Sequence, residues 1–108
     1  MTRAVLTAEA HNDLQGISDF IAQTSLQSSA AVIDYIIDQL QALARSPTIG
    51  RERQDLWPGV FCFVVGKNQW RSRYLIFYRI AANGIVVARI IEGHRDVRSE
   101  LKQPSTPL

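Results

Sequence analysis

Four residues in the second half of the chain have side chains suited to cleaving a phosphodiester bond. His94 can give or take a proton near neutral pH, and Glu92 is a carboxylate two positions before it. Arg79 and Arg89 carry guanidinium groups, which bind phosphate oxygens in a bidentate manner. Proton transfer beside a cationic phosphate clamp is what attack by a ribose 2′-hydroxyl requires, so these four residues form the candidate set for a ribonuclease.

The predicted strand register argues against that set. Asn83-Gly84 is typical of a two-residue hairpin turn, which would place Tyr78 opposite Arg89. Arg79 and Arg89 would then lie on opposite faces of the sheet and could not hold one phosphate. His94 also has the surroundings of an ordinary turn or surface histidine. We therefore favour no catalytic residue from the sequence.

A second group of residues is better suited to binding than to catalysis. The segment 67–73 carries Trp70 between basic residues, and a cationic loop with one aromatic ring can grip phosphate and stack on a base. A longer, solvated hairpin loop is the alternative. The candidates for contact with a binding partner are Arg51, Arg53, Trp70, Arg71, Arg73, Arg79, Arg89 and Arg95. Arg79 and Arg89 have a structural alternative, with their heads paired to carboxylates.

The charge of the chain is unevenly distributed. Residues 1–40 hold one basic residue against five acidic ones, whereas residues 41–108 hold eleven basic against five acidic. Ten of the twelve basic residues are arginine. An arginine-rich half is suited to phosphate or carboxylate partners, although a solvated surface of mixed charge explains the composition equally well.

Length and composition indicate a single self-sufficient domain. The chain has 108 residues, of which 46% are hydrophobic, and we expect one domain over residues 1–102 with a disordered tail over 103–108. Cys62 is the one cysteine, which excludes an internal disulfide and argues against a metal site. We see no leader segment or membrane span, so we expect a cytoplasmic protein without membrane contact, cofactor or small-molecule substrate.

Hydrophobic periodicity predicts two helices near the start of the chain. The first follows Thr7 as N-cap and ends at the polar stretch 23–25, where Ser25 or Ser28 can cap the second. In the second helix an apolar stripe is formed by Ile33, Ile36, Ile37, Leu40, Leu43 and Ala44. Pro47 disfavours helix at the residue before it, so this helix should end near Arg45.

Strand-type composition replaces the helical pattern after Gly50. Segments 60–65, 74–80 and 85–91 are rich in Val, Ile, Phe and Tyr, and a short strand is predicted at 3–6. The predicted order is therefore β-α-α-β-β-β. This is an α+β fold in which an antiparallel helical hairpin packs on a three- to four-stranded antiparallel sheet.

Several segments, taken in order, resemble the RelE/ParE toxin family and its ParE branch in particular. The turn between helix and sheet carries Pro47, Gly50-Arg51-x-Arg53-x-Asp55-Leu56 and Pro58-Gly59. The strands carry Phe63-x-Val65-Gly66 and Tyr74-Leu75-Ile76-Phe77-Tyr78-Arg79. The ending is Arg89-Ile90-Ile91-Glu92-Gly93-His94-Arg95-Asp96, and the first helix matches more loosely at Ala10, Asp13-Leu14 and Ile17.

This resemblance implies the toxin of a type II toxin–antitoxin system, neutralised by direct contact with an antitoxin, which the family suggests is of the ribbon-helix-helix type. ParE-like members poison DNA gyrase and arrest growth, whereas RelE-like members cleave mRNA on the ribosome. RelE-like nucleases use lysines, arginines and a late tyrosine, or a Glu/Arg/His set together with a late tyrosine. Tyr78 is the last tyrosine here, and Lys67 and Lys102 do not lie where a lysine pair would. We therefore expect a gyrase inhibitor in a hetero-oligomer with its antitoxin.

Two departures from the family pattern bear on activity. The basic segment 67–73 is longer than the corresponding ParE-like connection, and Phe61-Cys62 stands where an arginine is common. The alternatives to gyrase inhibition are a ribosome-dependent mRNA endonuclease and a degenerate member that binds its antitoxin without toxicity.

Overall fold

The computed structural model describes residues 2–67 and 72–93, and these residues form two helices and five strands with their connections. In order they are β1 (Arg3–Leu6), α1 (Ala8–Ala22), α2 (Leu26–Arg45), β2 (Arg51–Glu52), β3 (Phe61–Val65), β4 (Tyr74–Ala81) and β5 (Gly84–Glu92). A single 3-10 turn, Pro47–Ile49, follows α2. Two helices against one sheet confirm the predicted α+β class. Neither helix of the described part is long and apolar enough to cross a bilayer.

Both helices begin where their capping residues predict. The Thr7 hydroxyl accepts the Ala10 N–H at 3.1 Å, and the Ser25 hydroxyl accepts the Ser28 N–H at 3.0 Å. These bonds satisfy N–H groups that have no partner inside the helix. The second helix ends at Arg45, two residues before Pro47, as expected.

The core lies between the helices and one face of the sheet. The helices contribute Ala10, Val32, Ile36, Leu40, Leu43 and Ala44 to it, and the strands contribute Val65, Tyr74, Ile76, Tyr78, Ile85, Val87 and Ile90. The predicted stripe on α2 is correct at Ile36, Leu40, Leu43 and Ala44, but Ile33 is only half-buried, Ile37 is 40% exposed, and Val32 is buried instead. The helix is therefore rotated slightly toward its Val32 side.

The sheet is larger and more mixed than predicted. It has five strands in the order β1-β5-β4-β3-β2, and β1 runs parallel to β5. The prediction of a wholly antiparallel sheet is wrong because β1 pairs with the last strand after the chain has crossed the entire fold. The additional strand β2 has only two residues, which is too short for periodicity to reveal.

The predicted hairpin register is also wrong. Ala81 pairs with Gly84, so Ala82 and Asn83 form the turn, and Gly84 is the first residue of β5. Gly84 has φ of +135°, and a Cβ there would overlap the Arg3 carbonyl. The glycine is therefore required for the approach of β1 rather than for the second position of the turn. A bulge between Phe77 and Tyr78 shifts the pairing once more.

A smaller apolar cluster covers the opposite face of the sheet. Its buried members are Val60, Phe77 and Ile91. Leu56 and Trp57, from the turn before β3, pack against them. This packing agrees with a mainly structural role for Trp57.

Candidate functional site

The head of Arg89 is held by Asp13 on the first helix. The Arg89 Nε lies 2.6 Å from Asp13 Oδ2, and Nη2 lies 2.9 Å from Oδ1. Only 23% of the arginine side chain and 16% of the aspartate side chain are exposed. Asp13 Oδ2 also accepts the backbone N–H of Ile90 at 2.9 Å. Arg89 thus anchors α1 to β5, as the structural alternative for this residue predicted.

This anchor follows from where β1 stops. The Thr7 N–H donates to the Val87 carbonyl at 3.0 Å, and the Thr7 hydroxyl donates to the Ala88 carbonyl at 2.9 Å. Beyond that point α1 lies along the edge of β5 where a strand would otherwise continue. Asp13 supplies the acceptor that a neighbouring strand would have given to Ile90.

Arg79 and Arg89 do not lie on opposite faces as predicted. The register pairs Arg79 with Val86 and Arg89 with Phe77, and Phe77 is two residues from Arg79 on the same strand. Both arginines therefore start from one face of the sheet. Their heads are nonetheless not a shared phosphate clamp, because that of Arg89 is committed to Asp13. Arg79 is exposed and forms no ion pair within the described residues.

Arg53 is paired with a carboxylate and Arg51 is not, as is the case for Arg89 and Arg79. Arg53 forms a bidentate pair with Asp55, with Nε–Oδ1 and Nη2–Oδ2 distances of 2.9 Å. The hydrogen bond to Asp55 raises the pKa of Arg53 above its ordinary value. Arg51 is exposed on β2 opposite Cys62. Arg51 forms no ion pair with any residue that the structure describes.

The ends of the 67–73 segment are tied to each other and to α2. The Arg73 Nη1 donates to the Lys67 carbonyl at 2.8 Å. The Lys67 Nζ lies 4.5 Å from the centre of the Tyr35 ring, a cation–π contact. Trp70 and Arg71 lie outside the described residues, so the proposed grip on phosphate and base remains a prediction.

A groove of about 390 Å³ runs between α1 and the end of β5. It is lined by Asn12, Asp13, Gly16, Ile17, Phe20, Tyr74, Arg89, Ile90, Ile91 and Glu92. The carboxylate of Glu92 accepts the Ser72 hydroxyl. Burial raises the pKa of Tyr74, and the Glu92 charge adds to that rise. The Phe20 side chain is 70% exposed and forms an apolar wall of the groove.

Tyr78, the last tyrosine of the chain, is a structural residue. Its hydroxyl donates to the Pro47 carbonyl at 2.7 Å and accepts the Gly50 N–H at 3.1 Å. The side chain is fully buried, and burial raises the pKa of Tyr78. The turn after α2 is thereby fixed to the centre of the sheet, and Gly50 permits the approach because a Cβ there would overlap the Tyr78 hydroxyl.

Sequence reasoning missed Asp13 as a site residue, although a signal was present. Asp13 stands three residues after Ala10 and four before Ile17, within the apolar stripe of α1. A carboxylate at that spacing must point toward the sheet and requires a buried partner. The sequence offers no local signal for the role of the Tyr78 hydroxyl, because its partners Pro47 and Gly50 are about 30 residues away in the chain.

Most of the candidate nuclease groups in the described ranges are already engaged. Arg89 is paired with Asp13 and Glu92 with Ser72, which leaves Arg79. Burial raises the pKa of the Cys62 thiol, which disfavours the reactive thiolate. His94 and Arg95 lie outside the described residues.

Comparison with known proteins gives consistent matches. The family described as ParE toxin of type II toxin-antitoxin system, parDE, matches residues 4–97. Toxin ParE3 of Caulobacter vibrioides is 26% identical over 102 residues, covering 94% of this chain and 96% of that protein. A chain solved as the chromosomal ParDE TA system from P. aeruginosa has a TM-score of 0.64 at 22% identity. That superposition covers 85% of this chain and 96% of the other, and shows a common fold.

The extent of the family match decides the assignment. It begins at the second residue of β1 and continues past the end of β5, so it covers both helices and all the described strands apart from Arg3. On this basis the chain belongs to the ParE toxin family of type II toxin–antitoxin systems.

Proposed function

We propose that this protein arrests growth by inhibiting DNA gyrase, and that a cognate antitoxin neutralises it by direct binding. The observation that carries the proposal is the ParE family match over residues 4–97. Inhibition of gyrase is the activity that the resemblance to ParE-like toxins implies. The pair would form a hetero-oligomer in the cytoplasm, with an antitoxin of the ribbon-helix-helix type.

The engagement of the arginines supports a binding mechanism over a catalytic one. A nuclease needs an acid, a base and a free cation around one phosphate. Here Arg89 is used to fix α1 on β5, and the Tyr78 hydroxyl is used to fix the turn after α2. Neither group is free to reach a scissile bond without loss of a contact that holds the fold together.

The exposed arginines are the proposed contacts with the gyrase–DNA complex. Arg51 and Arg79 form no ion pair among the residues described, and both side chains are exposed. Guanidinium groups of this kind contribute to association with phosphate or carboxylate surfaces without supporting the fold. Trp70, Arg71, Arg73 and Arg95 complete the proposed contact set.

The antitoxin is proposed to lie along the helical hairpin and the edge of the sheet. An amphipathic helix seated in the groove beside α1 is one suitable form of recognition. The acidic side chains of α1 and α2, which include Glu9, Asp19, Asp34 and Asp38, favour a basic segment of the partner there.

A gyrase assay with purified, antitoxin-free protein tests the proposal. We expect loss of supercoiling and trapped DNA cleavage on one gel, both reversed by antitoxin. Arg79→Glu should weaken the effect, while Arg45→Glu, at an exposed arginine outside the proposed contact set, serves as a matched control. If gyrase from the native host is unaffected and ribosome-bound mRNA is cut instead, gyrase inhibition is ruled out and the nuclease alternative takes its place.

A further inference from the structure

One half of the outer edge of β3 has no neighbouring strand. Strand β2 pairs only with Phe61 and Cys62, and before Arg51 the chain turns away toward α2. Strand β3 continues to Val65. Its second half therefore borders open space in the part of the chain that the structure describes.

The backbone groups at this edge point outward at Val64. In an antiparallel pair, the N–H and C=O of alternate residues point to the same neighbour. The Val60 carbonyl accepts the Arg53 N–H at 2.8 Å, and Cys62 is paired with Arg51. The same alternation turns the N–H and C=O of Val64 toward the open side, and its side chain is 54% exposed.

The composition of β3 does not protect this edge. Natural sheets cover their edges with charged residues, proline, bulges or very short strands, because an open edge pairs with other chains. The sequence Phe-Cys-Phe-Val-Val has neither charge nor proline. The short charged strand β2 covers the first half alone, so the remaining apolar edge has the properties of a binding surface.

Basic side chains stand at both ends of the open segment. Arg51 lies at the β2 end, and Lys67 lies two residues beyond Val65, with its ammonium over the Tyr35 ring. The exposed Arg73 is bonded to the Lys67 carbonyl, which keeps its charge at the same end. A partner that runs along this edge would be favoured by carboxylates at either side of its central residues.

A second copy of this chain is a poor occupant. An antiparallel pairing centred on Val64 would place Gly66 opposite Cys62 of the second copy, where β2 of that copy already lies. Such a pairing is confined to residues 63–65 and brings the basic ends of both copies together. A separate extended segment has no strand of its own in the way.

We propose that residues 64–67 receive an extended, acidic segment of the antitoxin, which adds to the sheet as a sixth strand. The identity of the partner rests on the function proposed above. The surface itself rests on the open edge of β3 and on the charges that flank it.

The first test removes the outward N–H of Val64. Proline is tolerated on an edge strand where that N–H faces solvent, so Val64→Pro should remain folded. We expect it to weaken the complex with co-purified cognate antitoxin by roughly tenfold or more, because a ladder hydrogen bond is lost. Val64→Thr keeps the N–H and should bind within about threefold of the parent.

The second test separates this surface from others on the molecule. Hydrogen exchange should slow at residues 64–67 when antitoxin binds, and Arg51→Glu together with Lys67→Glu should weaken binding more at low salt than at high salt. Unchanged exchange there, with a Val64→Pro variant that binds normally, would overturn the proposal. Protection that depends on toxin concentration without antitoxin would instead identify a second copy as the occupant.

The outcome is independent of the gyrase result. If the parent protein does not inhibit gyrase but Val64→Pro weakens antitoxin binding, the binding site on β3 is supported and the proposed target is contradicted. A Val64→Pro protein that inhibits gyrase normally and binds antitoxin as tightly as the parent contradicts the edge alone.

Discussion

The carboxylate of Asp13 satisfies two groups that would otherwise be costly to bury. It accepts two hydrogen bonds from the Arg89 guanidinium and one from the Ile90 backbone N–H. Since both side chains are mostly shielded from water, solvent cannot replace these contacts fully. One side chain thus neutralises a cation and completes the edge of β5.

Removal of Asp13 should be more damaging than removal of an ordinary surface charge. Asp13→Ala is expected to lower the free energy of unfolding by about 3 kcal/mol, because it removes the carboxylate that accepts hydrogen bonds from the shielded Arg89 guanidinium and from the Ile90 N–H. The double variant with Arg89→Ala should lose less than the two single losses combined. Urea unfolding of the four proteins measures this, and strictly additive losses would mean that the pair does not act together.

The Tyr78 hydroxyl links the turn after α2 to the sheet through two hydrogen bonds. Tyr78→Phe should lower the free energy of unfolding by about 2 kcal/mol, because the Pro47 carbonyl and Gly50 N–H lose their partner. Urea unfolding of the parent and the variant measures this, and a loss below about 0.5 kcal/mol would contradict the structural role.

The raised pKa of Tyr78 predicts weakening at alkaline pH. Burial raises this pKa above the ordinary tyrosine value of 10.0, so the folded state binds the phenolic proton more tightly than the unfolded state. The contribution is therefore complete below pH 10.0 and is lost as the pH rises through the folded-state pKa. Urea unfolding above and below that pH should show the decline, and it should be smaller in Tyr78→Phe. Burial raises the pKa of Tyr74 likewise, so some decline will persist.

At the scale of elements, two glycines have opposite roles. Gly84 has φ of +135° and lies against the Arg3 backbone, whereas Gly16 lies within α1, where an added methyl group would have no neighbouring atom within 4 Å. Gly84→Ala should cost about 2–3 kcal/mol through strain and displacement of β1. Gly16→Ala should instead stabilise the protein by about 0.5–1 kcal/mol. Thermal unfolding of both variants checks the contrast, and a stable Gly84→Ala would refute the account of β1 docking.

The elements that the sequence predicts well are those with local signals. Thr7, Ser25 and Pro47 are neighbours of the helix ends that they determine, so the helix bounds follow directly. The register of β4 and β5 does not follow, because the place of Gly84 is determined by its contact with Arg3 on β1, 81 residues earlier in the chain. The mixed sheet was missed for the same reason.

In the candidate site, too, local features could be predicted and long-range partners could not. The place of Arg89 on a strand predicts two alternatives for its side chain: pairing with a carboxylate of the same chain or contact with another molecule. That the partner is Asp13, 76 residues earlier, required the folded structure. Arg51 and Arg79 stay candidate contacts because surface charges carry no local signal of what they bind.

At the scale of the whole molecule, substitution of an exposed arginine should affect toxicity, whereas substitution of a paired arginine should affect stability. Arg79→Ala should change the free energy of unfolding by less than about 0.5 kcal/mol, since its head has no described ion-pair partner. If Arg79 contacts the target, the same variant should lose growth inhibition when expressed without antitoxin. Arg89→Ala is the matched contrast, with a large loss of stability. Full toxicity of a folded Arg79→Ala protein would remove this residue from the contact set.

The parallel pairing of β1 with β5 also has a consequence for synthesis. Strand β1 is among the first segments to leave the ribosome, and its partner residues Gly84 to Val87 are translated near the end. The Thr7 hydroxyl likewise donates its hydrogen bond to a carbonyl that lies 81 residues later in the chain. Because contacts so distant in sequence form late, the nascent chain is an incomplete sheet for most of its translation. Incomplete products that end before β5 should therefore lack both the central strand β5 and the pairing of β1.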